Sequence, residues 1–236
     1  YLYQAYTRQL LKDPLFFTPE RQAGATQAEL LAIFRADDRS DPMPAFDLHL
    51  EKTRQYGKDM LALELTPENI LAYVQNSPTP LRTFSMMLNH IGGYKEDPIR
   101  KKTDLLAMCL DARPEKLFQF REDEAVLPVV DYHCMRACLR MGLIEIKVPA
   151  LEKKLTSRAL VTEDEEWAVR YAAFLIQEQI MALSGRAVDA VHWFFFNYTR
   201  DHCPEMADPI CSDCAMDGMC AHRKEMFQPV FRTTFY

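Results

Sequence analysis

Four cysteines lie close together near the C-terminal end of the chain, at Cys203, Cys211, Cys214 and Cys220. Four thiolates on a short irregular stretch can wrap one compact metal centre, and the two-residue gap lets Cys211 and Cys214 chelate from a single turn. Prolines and a glycine between them supply turn-forming backbone. Zinc sites more often pair two C-x-x-C elements, or one such element with histidines. The spacing therefore predicts a [4Fe–4S] cluster, with structural zinc or incidental cysteines as the alternatives.

A second candidate for chemistry is Asp131, which follows the apolar run Leu-Pro-Val-Val. Its position predicts partial burial, which is common for carboxylates that act on a substrate. The segment Tyr132–Met141, closed by Gly142, has helical spacing, so Asp131 stands where a helix should begin. An aspartate at that place is often only the N-cap of the helix. The two roles can coexist in one residue.

Local helix signals recur along the chain, whereas strand signals are scarce. Thr26 with Glu29 and Thr162 with Glu165 each form a capping-box pattern. The second box opens a long helix to about residue 181, and Gly185 is a plausible stop. Threonine or aspartate also precedes proline at residues 66–67 and 97–98, a pattern typical of a helix start. We expect eight to ten helices and at most one hairpin, which is an all-α fold.

Several other segments carry predictions about burial. The stretch Ala187–Tyr198 is apolar nearly all round, so we expect a buried helix whose aromatic residues belong to the core. Cys109, Cys134 and Cys138 are predicted to be buried small residues. Residues 37–44, with the sequence DDRSDPMP, are predicted to form a loop.

The bulk composition limits the classes of function. The 236 residues carry a net charge of −6 and have a sequence pI of about 5.6. This acidic balance disfavours a protein that binds mainly through contacts to a phosphate backbone, and it favours a small substrate. No apolar run approaches the roughly 20 residues of a membrane span. The N-terminal sequence lacks a signal pattern, and Tyr1 is not a natural start, so residues upstream of it are possible. Seven cysteines without a secretory signal indicate a reducing, cytoplasmic compartment.

Two segments resemble endonuclease III-type DNA glycosylases. The cysteine loop resembles their C-terminal iron–sulfur loop, with seven residues in the first gap where that family usually has six. Residues 130–142, VDYHCMRACLRMG, resemble their V-D-T-H-x-x-R-x-x-x-R segment. The resemblance implies that Asp131 is the catalytic carboxylate, that His133, Arg136 and Arg140 orient the segment, and that the cluster is structural or redox-sensing.

One feature of those DNA glycosylases is missing. They carry a glycine-containing helix-hairpin-helix shortly before the aspartate, together with a lysine that forms a Schiff base. Residues 111–128 contain no glycine, and no motif supports Lys116 as a nucleophile. A stretch without glycine is poorly suited to the tight hairpin whose amides grip a DNA phosphate. Lyase chemistry and duplex DNA binding are therefore disfavoured.

A second resemblance covers nearly the whole chain and points to the queuosine salvage protein family. The blocks beginning at Glu29, at residues 100–106, at residues 129–133 (VVDYH) and at residues 197–202 (NYTRDH), and the ending FRTTFY, occur in the same order. The resemblance implies a two-lobed helical DNA-glycosylase-like fold, with residues 1–236 as one domain and residues 200–222 as its cluster loop. It also implies a hydrolase that cleaves the base–ribose bond of a queuosine-like, 7-deazaguanine nucleoside or nucleotide.

The same resemblance implies a set of substrate-binding residues beside Asp131. These are Lys101, Tyr132, His133, Asn197, Asp201 and Arg232. The family usually has acidic residues where this chain has Asn197 and His192, which leaves the identity of the base open. Two alternatives remain: a glycosylase that removes a modified base from DNA or RNA, and a non-catalytic iron–sulfur protein that binds or senses redox state.

Overall fold

The computed structural model describes residues 2–35 and 43–236, and the predicted all-α fold is confirmed for them. These residues form eleven α-helices, one more than the upper end of the range predicted from sequence, and the one β-type pairing among them is a single bridge between Leu160 and Val230. The loop predicted for residues 37–44 lies, up to residue 42, outside the described residues. The chain divides into two compact units, one of residues 1–125 with 233–235 and one of residues 126–232 with Tyr236.

In its described residues, the first unit contains seven α-helices and one 3-10 turn at Pro14–Phe17. The helices are α1 (Leu2–Lys12), α2 (Pro19–Ala23), α3 (Gln27–Phe34), α4 (Phe46–Ala62), α5 (Pro67–Gln75), α6 (Pro80–Leu88) and α7 (Lys101–Asp111). Helices α2 and α4 pack closely because Gly57 has no side chain: a Cβ there would stand 2.2 Å from the backbone nitrogen of Ala23.

Local capping signals place most of these helix starts correctly. Thr26 and Glu29 form the predicted capping box at the start of α3, and α5 begins at Pro67 with Thr66 as its cap. The prediction for residues 97–98 is wrong, since α7 begins at Lys101. The Asp97 carboxylate accepts hydrogen bonds from the backbone nitrogens of Ile99 and Lys101, at 3.2 and 2.8 Å. Asp97 therefore stabilises a turn that precedes the helix.

The second unit contains four α-helices and the cysteine loop. The helices are α8 (Tyr132–Arg140), α9 (Pro149–Ser157), α10 (Glu163–Ser184) and α11 (Val188–Asp201). The predicted capping box of Thr162 and Glu165 opens α10, and Gly185 ends it with a φ of 63°. Inside α10 the buried pair Glu166 and Arg170 lies one turn apart, with Oε1 and Nε separated by 3.0 Å.

Helix α11 is less buried than its composition predicts. Phe195 is buried, but Trp193 and Phe194 keep about two fifths of their surface exposed, at 41% and 39%. The prediction of a helix buried all round is therefore wrong for these two residues. None of the helices in residues 2–35 and 43–236 has the length and apolar character needed to cross a bilayer.

Candidate active site and metal centre

Asp131 begins helix α8 and is both a cap and a buried carboxylate. Its backbone is extended, and its Oδ1 accepts a hydrogen bond of 3.0 Å from the backbone nitrogen of Cys134. Val129 and Val130 before it are fully buried, and Asp131 itself is 5% exposed. Asp131 is more fully buried than the partial burial predicted from sequence, and its capping role is confirmed. The capping bond fixes the carboxylate against the first turn of α8.

Two aromatic rings stand directly after this carboxylate. Tyr132 and His133 are half-buried, and their ring centroids are 4.2 Å apart. Burial raises the pKa of the Tyr132 hydroxyl, and the negative charge of Asp131 raises it further. Phe196 of α11 meets the His133 ring edge-on at 4.9 Å. The first turn of α8 therefore presents a carboxylate beside partly exposed aromatic surface.

Two buried arginines join α8 to the first residues of the cysteine loop. Arg136 is 1% exposed, and its guanidinium donates to the Cys203 carbonyl at 3.3 Å and to Gln228 Oε1 at 3.1 Å. Its Nη2 also lies 3.0 Å from Nδ1 of His133. The resemblance assigned Arg136 an orienting role, and these contacts fit that assignment.

Arg140 makes the closest contact between α8 and a candidate ligand sulfur. Its Nε donates to the Met226 carbonyl at 2.8 Å, and its Nη1 lies 3.2 Å from Cys203 Sγ and 3.0 Å from the Pro204 carbonyl. The side chain is 3% exposed. A guanidinium in this position stabilises negative charge on the Cys203 sulfur.

Backbone hydrogen bonds hold the cysteine loop to the ends of α11 and α8. The nitrogen of Ile210 donates to the His202 carbonyl at 2.8 Å, and that of Ala221 donates to the Met141 carbonyl at 3.1 Å. Gly142 has a φ of 77°, and a Cβ there would stand 2.6 Å from the Cβ of Ala221. The glycine after α8 is thus required both by its backbone conformation and by the close approach of the loop.

All four predicted ligand cysteines are free and are among the residues that line one partly open cavity of about 50 Å³. That space exceeds the roughly 10–15 Å³ that one water needs. Partial burial raises the pKa of Cys220, and the other three cysteines raise it further. The nitrogen of His222 donates to Cys220 Sγ at 3.3 Å, and this hydrogen bond lowers the pKa of Cys220. Four cysteines that line one space larger than a water are compatible with a thiolate-bound polynuclear cluster.

A tighter group of potential ligand atoms overlaps this set. One ligand atom each from Cys211, Asp217 and His222 lies within 4.8 Å of the other two. The His222 Nε2 is 3.0 Å from the Asp217 carbonyl. The His222 side chain is exposed. This trio is the arrangement closest to a zinc site among the described residues. It names the ligands on which the zinc alternative can be tested.

The other predicted substrate residues lie at different places in the chain. Asn197 and Asp201 are exposed on α11, and Asp201 is paired with Arg200 at 2.7 Å. Arg232 is exposed near the C-terminal end of the second unit. Lys101 is the half-buried first residue of α7 and belongs to the first unit. Tyr132 and His133 are the two predicted substrate residues that directly follow Asp131 and lie beside it.

The remaining cysteines divide into two kinds. Cys134 and Cys138 are buried, as predicted, and burial raises the pKa of Cys138 to about 12. Cys109 on α7 is exposed, so the prediction for it is wrong. Sequence reasoning missed Gln228, the buried partner of Arg136, because no local pattern connects positions 92 residues apart.

Comparison with known proteins adds no family assignment. No protein-family model matches the chain, and no curated protein is significantly similar to it.

Proposed function

We propose that this chain is an N-glycosidase that hydrolyses the base–ribose bond of a queuosine-like nucleoside or nucleotide, within a DNA-glycosylase-like fold. Asp131 is its catalytic carboxylate, and a [4Fe–4S] cluster is held by Cys203, Cys211, Cys214 and Cys220. One observation carries the proposal: helix α8 begins at a buried, fixed carboxylate and, through Arg140, contacts a cysteine of the four-cysteine cavity. That connection joins the two segments whose sequences resemble glycosylases.

The chemistry follows from charge development during cleavage. As the C1′–N bond breaks, its electron pair leaves with the base and positive charge grows on the ribose. A carboxylate that is already fixed stabilises this charge without reorganising. The bond from the nitrogen of Cys134 supplies that fixation for Asp131. Water then adds to C1′ and loses a proton, and the departing base takes one up.

Tyr132 and His133 are proposed to contact the substrate, because their half-buried rings follow the carboxylate directly. An exposed aromatic ring face is suited to stacking on a purine-like base. Asn197, Asp201, Arg232 and Lys101 remain proposed substrate residues on the strength of the family resemblance alone. When bound, the cluster supplies a cross-link for the loop and a one-electron redox centre.

The decisive experiment separates the capping role of Asp131 from its catalytic role. Asparagine caps a helix about as well as aspartate but carries no charge. Anaerobically purified wild type, Asp131→Asn and the control Asp164→Asn would be incubated with queuosine and its 5′- and 3′-monophosphates. Asp164 is an exposed acid in the first turn of α10. Free base would be measured by mass spectrometry, and folding by circular dichroism.

Release of free base by wild type and Asp164→Asn, with at least a roughly 100-fold loss in Asp131→Asn, supports the proposal. Equal release by Asp131→Asn would leave Asp131 as a cap only. A parallel incubation with modified tRNA and DNA tests the polymer alternative, and release from polymer alone would move the protein to the nucleic-acid glycosylases. No release from any substrate would refute the glycosidase activity.

A further inference from the structure

A second, larger cavity lies in the same unit beside the cysteine loop. Its volume is about 610 Å³, within the roughly 300–1,000 Å³ of small-molecule sites. The end of α8, the C-terminal turn of α10, one side of α11 and the 3-10 turn of the cysteine loop form its walls. Met141, Phe194, Phe195 and Met216 line both this cavity and the one between the four cysteines.

The lining is apolar with a single charge. Eight of the eleven described lining residues are Met, Leu, Ile, Val or Phe. The Ser184 hydroxyl at the rim is already engaged, since it donates to the Ile180 carbonyl at 2.6 Å and accepts from the nitrogen of Arg186 at 3.2 Å. The Arg186 side chain is exposed and forms no ion pair with any residue in the described part of the chain. Arg186 is therefore the group able to fix the orientation of a ligand.

We propose that this cavity binds a small amphipathic carboxylate, with its apolar body between α10, α11 and the cysteine loop and its carboxylate on Arg186. An apolar cavity of this size strongly favours an apolar ligand body. One guanidinium at the rim matches one carboxylate, which it can bind through two parallel hydrogen bonds. This site is separate from Asp131 and does not depend on the glycosidase proposal.

The test uses dodecanoate as the probe, kept below its micelle concentration and titrated calorimetrically into the anaerobically purified protein. Ala190→Trp would fill the cavity from an exposed position of α11, and Arg186→Gln would remove the charge. Lys153→Gln, at an exposed position of α9, is the control for the loss of one positive charge. Dodecyltrimethylammonium, with the same chain and the opposite charge, tests whether the carboxylate is recognised.

We expect saturable binding of one dodecanoate, weakened more than tenfold by Ala190→Trp and roughly threefold to tenfold by Arg186→Gln. Lys153→Gln should bind as wild type does. Binding that does not saturate, that survives Ala190→Trp, or that is equal for dodecyltrimethylammonium would overturn the proposal. Circular dichroism and the visible spectrum of each variant establish that the fold and the loop are intact, and Arg186→Gln carries the test if Ala190→Trp fails to fold.

Discussion

Replacing Arg140 with methionine should detach the cysteine loop from helix α8. The guanidinium is almost fully buried and bonds three backbone carbonyls, those of Met226, Cys203 and Pro204, and the Cys203 sulfur. Methionine fills similar space but donates no hydrogen bond. Each buried acceptor left without a donor costs about 1–3 kcal/mol, and relaxation of the loop will recover part of that sum. We expect the free energy of unfolding to fall by roughly 3 kcal/mol, a large part of the about 5–15 kcal/mol of a typical domain.

The assay follows unfolding in urea by circular dichroism, together with the visible absorbance expected of the proposed metal centre, in the same samples. Arg140→Met should lower the urea midpoint and lose its metal centre faster when a chelator is added. Arg113→Met is the control, because Arg113 is exposed and, among the described residues, forms an ion pair only with the nearby Glu115. It should leave the midpoint unchanged. If Arg140→Met keeps both the midpoint and the rate of metal loss of wild type, the contact between α8 and the loop does not stabilise either element.

Three further predictions concern capping, thiol reactivity and alkaline stability. Asp131→Ala should lower the free energy of unfolding by about 1 kcal/mol in urea titrations, and Asp131→Asn by much less, because only asparagine restores the capping bond. Mass spectrometry after maleimide treatment should find Cys109 labelled in the native protein, whereas Cys134 and Cys138 react only after unfolding, since burial raises the pKa of both thiols. Burial also raises the pKa of Tyr94 to about 12. The contribution of its protonated hydroxyl to the free energy of unfolding is therefore complete below pH 10 and is lost as the pH rises toward 12. Tyr94→Phe should reduce that loss by about 2–3 kcal/mol. Equal labelling of all three thiols would contradict the burial of Cys134 and Cys138. Identical alkaline titrations of wild type and Tyr94→Phe would contradict the burial of Tyr94.

Predictions based on neighbouring residues were the most accurate. The capping boxes at Thr26 and Thr162, the stop at Gly185 and the cap at Asp131 are all present. Each depends on a side chain and a backbone group within a few residues of each other, so the sequence contains both partners. The Asp97 start was wrong because its carboxylate can cap a turn as well as a helix, and local sequence does not choose between them.

Predictions of burial were correct only where the sequence pattern also indicated which side of an element faces the core. Composition indicates that α11 is apolar, but which of its faces meets α8 decides that Phe195 is buried and Trp193 is not. Cys109 was predicted to be buried from its residue type, yet its place on α7 leaves it exposed. The choice of face depends on the packing partner, which lies far away in sequence.

The sequence by itself determined the helical class, the helix start at Asp131 and the pattern of four cysteines. Only the tertiary structure decided that those cysteines line one cavity, that Arg136 and Arg140 connect its first cysteine to the helix of Asp131, and that an apolar cavity with Arg186 at its rim shares part of its lining. The physical reason is the range of the interactions. Capping and turn formation act within one or two helical turns, whereas cavities and buried guanidinium bonds arise between segments that meet only when the chain has folded.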